Sequence, residues 1–175
     1  MNTNIKKIEA QVAQHKKVNP FYLAMNIALL CVLPILCIIT EIVKEEMPLH
    51  WTLVGKWFIF WAAGVRLFTA GIKQASNPEF TATEIFKLKG RESLVIIREL
   101  GFANISLGAM GMLSLINEHW RLLGAIASSI FFGLAALQHF SRKPDSINEW
   151  IALVYDSVVF IVLALFCFFT FPQLS

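Results

Sequence analysis

Charge is scarce in this chain. Only 15% of its 175 residues are charged and 57% are hydrophobic, against about 25% charged in an ordinary soluble domain. Too few polar side chains remain to clothe a water-facing surface, so a soluble globular domain is excluded and lipid becomes the outer solvent. Cysteine is sparse too: Cys31, Cys37 and Cys167 all sit in apolar runs, with no CxxC or Cys/His spacing. That argues against a zinc or thioredoxin-like site and leaves the three as small apolar fillers. The chain lacks the Glu-x-x-His pair that builds carboxylate-bridged metal sites in helical bundles, so no metal is expected. It also lacks a G-x-S-x-G elbow, a Gly-rich phosphate loop, an internal repeat and any low-complexity tract. Nucleophilic catalysis therefore has no support. The formal net charge is only +3, and the basic residues cluster between apolar runs. It reads as membrane topology, and no nucleic-acid partner is expected.

What is present is long apolar sequence. The mean hydropathy is +0.63, and there are fifteen Phe and five Trp. Five runs approach the length of about 20 apolar residues that a helix needs to cross a bilayer: 21–43, 51–73, 93–116, 120–140 and 147–171. The expected fold class is all-α, an integral membrane bundle of five transmembrane helices. It divides into a polar N-terminus at 1–20, a first helix at 21–43 and a four-helix core at 51–171. The first run lacks a small-residue cleavage site and reads as an uncleaved spanning helix. Pro34 lies in its middle and predicts a kink. Gly101, Gly108 and Gly111, and the small-xxx-small pairs Gly124/Ser128 and Ser129/Gly133, predict close helix packing.

Basic residues alternate from side to side. Lys6, Lys7, Lys16 and Lys17 precede the first run; Lys73, Lys87, Lys89 and Arg91 follow the second; Arg142 and Lys143 follow the fourth. The other side carries only Lys44 and Arg121. The bias predicts a cytoplasmic N-terminus and an outer C-terminus in a bacterial inner membrane. Trp51 and Trp120 then start helices at the outer interface, and Trp150 lies near the inner one. Between the second and third runs, Thr81 and Glu84 have capping-box spacing, followed by Ile85, Phe86 and Leu88. This predicts a short amphipathic helix at 77–91 on the membrane surface, either a plain connector or an element that gates a site or binds a partner.

Ionisable groups within a bilayer cost on the order of 2.5–3.5 kcal/mol each at a helix centre on the insertion scale. They are therefore the best site candidates. Arg66, Glu99, Asn104, His139, Glu149 and Asp156 come from four helices and fall at similar depth in the cytoplasmic half. The expected arrangement pairs Arg66 with Glu99 or Asp156, with His139 hydrogen-bonded nearby. Such a cluster is either an ion-paired staple that fixes packing or a site for a ligand, a quinone or a proton. Lys56 is close enough to the outer end to snorkel to headgroups, and Glu41 is expected to be solvated there.

Two stretches carry a resemblance. The second run reads Gly64-Val65-Arg66-Leu67-Phe68-Thr69-Ala70-Gly71-Ile72-Lys73, and the third opens Arg98-Glu99-Leu100-Gly101-Phe102-Ala103-Asn104. An Arg followed by Phe, Gly and Lys in one helix, then Glu and Gly at the start of the next, resembles the DoxX-like superfamily of small four-helix membrane proteins. The likeness covers Trp51 to the C-terminus, with the first helix as an addition. Members include a subunit linked to quinone reduction, redox-partner proteins, and cargo receptors or receptor chaperones. The resemblance implies Arg66 and Glu99 as a shared polar pair. The stretch from Lys56 to Asn104, with Phe80-Thr81-Ala82, also resembles an uncharacterised family of small bacterial membrane proteins.

The sequence thus points to a non-catalytic membrane subunit or binding protein whose polar pocket opens toward the cytoplasmic leaflet. Its partners would be the bilayer and either a membrane protein or a second copy of itself. No resident cofactor is expected. One alternative is a quinone-linked redox subunit in which Arg66, Glu99 and His139 position and protonate a quinone oxygen. Another is a small-solute or proton-coupled transporter.

Overall fold

The computed structural model describes residues 18–86, 88, 90–144 and 146–171, apart from the side chain of Glu84. Most of the expected polar N-terminus, and the basic residues Lys87 and Lys89, lie outside the described residues. Among the described residues five helices are long and apolar enough to cross a membrane: α1 Pro20–Glu45, α2 Trp51–Ser76, α3 Glu92–Leu113, α4 His119–Arg142 and α5 Ile147–Thr170. The described residues contain no strand.

The helix ends follow from local chemistry. Asn19 caps α1, its Oδ1 accepting from the Tyr22 N–H at 3.0 Å, with Pro20 in the first turn. His50 caps α2, its Nδ1 accepting from the Leu53 N–H at 3.2 Å. Ser146 caps α5 by accepting from the Glu149 N–H at 3.3 Å. Ser146 and Glu149 have the spacing of a capping box.

Two helices are locally widened. In α1 the turn Ala28–Val32 is π-helical, and the Leu33 N–H reaches back to the Ala28 carbonyl. Pro34 follows at once and has no N–H, so the Leu30 carbonyl loses its donor and the ladder loosens into an i→i−5 turn. The predicted disturbance at Pro34 takes this form. A second π-helical stretch, Phe58–Val65, lies in the middle of α2 and ends immediately before Arg66.

Packing sets the rest. The C-terminal half of α2 lies against α3 along a glycine seam, and α4 lies along α5. A Cβ at Gly71 would stand 2.6 Å from the Gly101 carbonyl oxygen, and one at Gly108 would collide with the Phe68 backbone nitrogen. Only glycine permits this approach. Ile59, Leu67, Tyr155, Val159, Leu163 and Phe166 form part of the core. Side chains such as Ile35, Leu123, Leu134 and Phe168 stay exposed on the flanks, as a lipid-facing surface requires. The N-terminal half of α1 packs on α5, and its backbone stands apart from the C-terminal half of α2.

At one end, Trp51 stacks on Phe169 with centroids 5.0 Å apart, and Trp120 is exposed. Trp150 is exposed at the opposite end. Lys56 and Glu41 do not stand apart in solvent as expected. Lys56 Nζ lies 2.8 Å from both carboxylate oxygens of Glu41, and Trp57 Nε1 donates to the same carboxylate at 2.8 Å. The partly buried pair ties α1 to α2, because each charge is cheaper to bury with its partner.

Candidate functional site

At the Lys73 end of the bundle, all five helices and the segment between α2 and α3 enclose a cavity of about 160 Å³. Arg66 is its most connected polar group. The widened turn before it decides how it sits. The Arg66 N–H points to the Ala63 and Trp61 carbonyls instead of that of Ala62. The Ala62 carbonyl accepts the Tyr155 hydroxyl at 2.8 Å, a bond that fastens α5 to α2. Tyr155 thereby brings its ring beside the guanidinium, 5.3 Å from centroid to Cζ, and Tyr22 presents a second ring at 5.7 Å. Arg66 Nε donates to Asn26 Oδ1 at 3.1 Å, and Asn26 Nδ2 donates in turn to the Tyr22 carbonyl at 2.6 Å. One side chain so links α1, α2 and α5.

Other polar groups complete the lining. His139 of α4 and Asp156 of α5 face each other, Nε2 to Oδ2, at 3.8 Å. Asn104 of α3 donates through Nδ2 to Gln74 Oε1 of α2 at 2.7 Å, and both residues are buried. Asn104 Oδ1 is buried with no hydrogen-bond partner among the described residues, an arrangement that costs about 1–3 kcal/mol. Lys73 lies at the mouth with its Nζ 3.7 Å from the centre of the Phe80 ring. Phe80, Thr81, Ile85 and Phe86 line the same cavity.

The structure therefore brings together four of the six candidates: Arg66, Asn104, His139 and Asp156 all line the cavity. Glu99 and Glu149 do not. Glu99 is exposed on α3, and no ion pair joins it to Arg66 among the described residues. The cause is helical phase. The seam turns Gly101, Asn104 and Gly108 toward α2, and Glu99 stands two residues, about 200°, away from Gly101 on a helix with 3.6 residues per turn. Arg66 has no carboxylate within 4.0 Å among the described residues, Asp156 included. The expected Arg–carboxylate contact is replaced by an amide and two aromatic faces, both recognised partners of guanidinium. Glu149 is buried in the first turn of α5, outside the cavity lining.

The 77–91 segment contains a short helical stretch at 79–85, its last five residues π-helical. Thr81 lies inside that stretch and does not cap it. Thr81 is buried instead, in the cavity wall. Reading ionisable groups alone missed Tyr22, Asn26, Gln74 and Tyr155 and left Lys73 as a topology marker. Asn26 did carry a signal, as a polar residue alone in the first half of an otherwise apolar run.

Among the described residues no three His, Cys, Asp or Glu side chains converge as metal ligands would. What the cavity offers is hydrogen bonding and charge: a guanidinium, an ammonium, a carboxamide pair and an imidazole–carboxylate pair, walled by aromatic rings. No curated protein and no solved structure matches the chain. The Family of unknown function (DUF6790) matches residues 24–170, most of the chain and every helix lining the cavity, and the protein belongs to that family.

Proposed function

We propose that the protein is a non-catalytic, membrane-embedded binding protein or subunit, and that the cavity around Arg66 is its ligand site. The observation that carries this reading is the unpaired Arg66: a guanidinium well within a spanning helix, lining a cavity, with no carboxylate within 4.0 Å among the described residues. An ion-paired staple would bring a carboxylate into contact with it, and Asp156, in the same cavity, is not so placed. The volume supports the reading, since an engineered cavity of about 150 Å³ accommodates benzene. Native mass spectrometry of protein released in mild detergent, with lipid extraction in parallel, tests it. A bound small molecule lost in Arg66→Gln is the expected result. An adduct-free protein from every mild extraction contradicts it.

The Lys/Arg bias supports placing the Lys73 end in the cytoplasmic leaflet of a bacterial inner membrane, with the N-terminus inside. In a cysteine-free background, an impermeant thiol reagent applied to intact cells is expected to label Glu46→Cys and to spare Asn77→Cys. The reverse pattern would invert the topology. The DoxX-like likeness is compatible with this architecture.

A second reading rests on the His139–Asp156 contact at the cavity wall. An imidazole held beside a carboxylate can pass a proton to a bound carbonyl oxygen, as a quinone-linked redox subunit requires. Quinone in the extract, with electron transfer lost in His139→Ala, would favour it over simple binding.

A further inference from the structure

We infer, on the reading that the cavity is a ligand site, that its ligand is a membrane-borne anionic amphiphile. Its charged oxygen head, a carboxylate or a phosphate, enters between α1 and α2 and lies against Lys73 and Arg66, while its apolar chain stays in the bilayer.

Charge is the first ground. Two basic side chains, Arg66 and Lys73, line the cavity against one carboxylate, Asp156, which is in contact with His139. Neither cation is in an ion pair among the described residues. Arg66 uses Nε on Asn26 and its faces on two rings, and its Nη groups donate to nothing among the described residues. Lys73 lies seven residues after Arg66, about 10 Å along the helix at 1.5 Å per residue. An anion arriving at the mouth meets the lysine first and the arginine deeper in.

The second ground is the position of the opening. The backbones of the N-terminal half of α1 and the C-terminal half of α2 stand apart, and the Arg66 side chain crosses the space between them to Asn26 and Tyr22. Phe21, Thr69 and Lys73, which flank that gap, are exposed and also line the cavity. Helix flanks of this bundle face lipid, so a gap between two of them admits molecules dissolved in the membrane.

The third ground is size. About 160 Å³ is close to the cavity that takes benzene. A carboxylate with its first methylenes, or a phosphate, fits; a sugar or nucleotide headgroup does not. Met25, Phe131, Phe132 and Ala135 supply an apolar lining for those methylenes.

The test uses the full chain in phosphatidylcholine nanodiscs, with equilibrium binding of radiolabelled palmitate. Cetyl alcohol, phosphatidic acid and inorganic phosphate serve as competitors. Saturable palmitate binding is expected, at least tenfold tighter than cetyl alcohol, with that preference abolished in Arg66→Gln and reduced in Lys73→Gln. Inorganic phosphate is expected not to compete at equal concentration. Competition by phosphatidic acid stronger than by palmitate itself would assign the head as a lipid phosphate. Should cetyl alcohol bind as tightly as palmitate, the anion inference fails while the binding site stands. Equal competition by inorganic phosphate overturns the membrane-borne half of the inference. Absence of binding by all four probes overturns the anionic ligand class, and the site itself is then judged by the mass spectra of the native protein. Circular dichroism and monodispersity of each variant confirm that a loss of binding is not a loss of fold.

Discussion

Arg66 holds its place through neutral partners, and that has measurable consequences. The Nε–Asn26 bond at 3.1 Å and the rings of Tyr22 and Tyr155 replace the carboxylate that an intramembrane arginine commonly finds. Each ring contact contributes about 0.5–2 kcal/mol, more when desolvated. A double-mutant cycle between Arg66→Ala and Asn26→Ala is expected to show coupling of about 0.5–3 kcal/mol in unfolding free energy, as residues in direct contact do. The equivalent cycle between Arg66→Ala and Glu99→Gln is expected to be additive within about 0.5 kcal/mol. Coupling of Arg66 to Glu99 instead of Asn26 would refute the described geometry. Sequence reading found Arg66 because charge inside an apolar run is conspicuous. It could not find the partners, since an asparagine and two tyrosines are unremarkable residues whose role depends on the direction each helix faces.

At the level of helices, the site depends on two devices, a glycine seam and a pair of widened turns. The seam holds α3 close enough to α2 for Asn104 to reach Gln74 across it. Gly108 would place a Cβ against the Phe68 backbone, where nothing can yield, whereas a Cβ at Gly124 would meet Ile59 Cγ2 at an ordinary 3.6 Å. Gly108→Ala is therefore expected to lower stability by about 1–3 kcal/mol, the usual cost of overpacking, and to weaken ligand retention. Gly124→Ala is expected to leave both near the parent value. Thermal unfolding in detergent distinguishes them, and equal behaviour of the two variants would contradict the seam. The seam was legible in the spacing of Gly101, Gly108 and Gly111. The same seam explains why Glu99 was misplaced: close packing fixes the helix phase, and that phase turns Glu99 outward. The π turn at Pro34 was foreshadowed by the proline. The one before Arg66 was not, because Phe58–Val65 holds no proline to announce it, and it is this turn that frees the Ala62 carbonyl for Tyr155.

For the whole molecule, apolar run length was enough to give five helices and their approximate limits, since a bilayer leaves few other ways to satisfy the backbone. The same argument could not give the order of lateral contacts. That order leaves the backbone of the N-terminal half of α1 on α5 and apart from the C-terminal half of α2, and it turns a set of polar residues at one depth into a cavity with a side entrance. The central claim is that this cavity is a site that a ligand fills. Its most direct test is the reactivity of Ala135→Cys, placed in the cavity wall, in a chain whose Cys31, Cys37 and Cys167 are replaced by alanine. A membrane-permeant thiol reagent would be applied to native membranes and to detergent-washed protein returned to phosphatidylcholine. Labelling at least tenfold slower is expected in the native membrane, where the ligand shields the thiol, with an unchanged rate for Ala127→Cys, which is outside the cavity lining. Equal labelling of Ala135→Cys in both preparations would contradict that claim and leave the polar cluster as a device of packing.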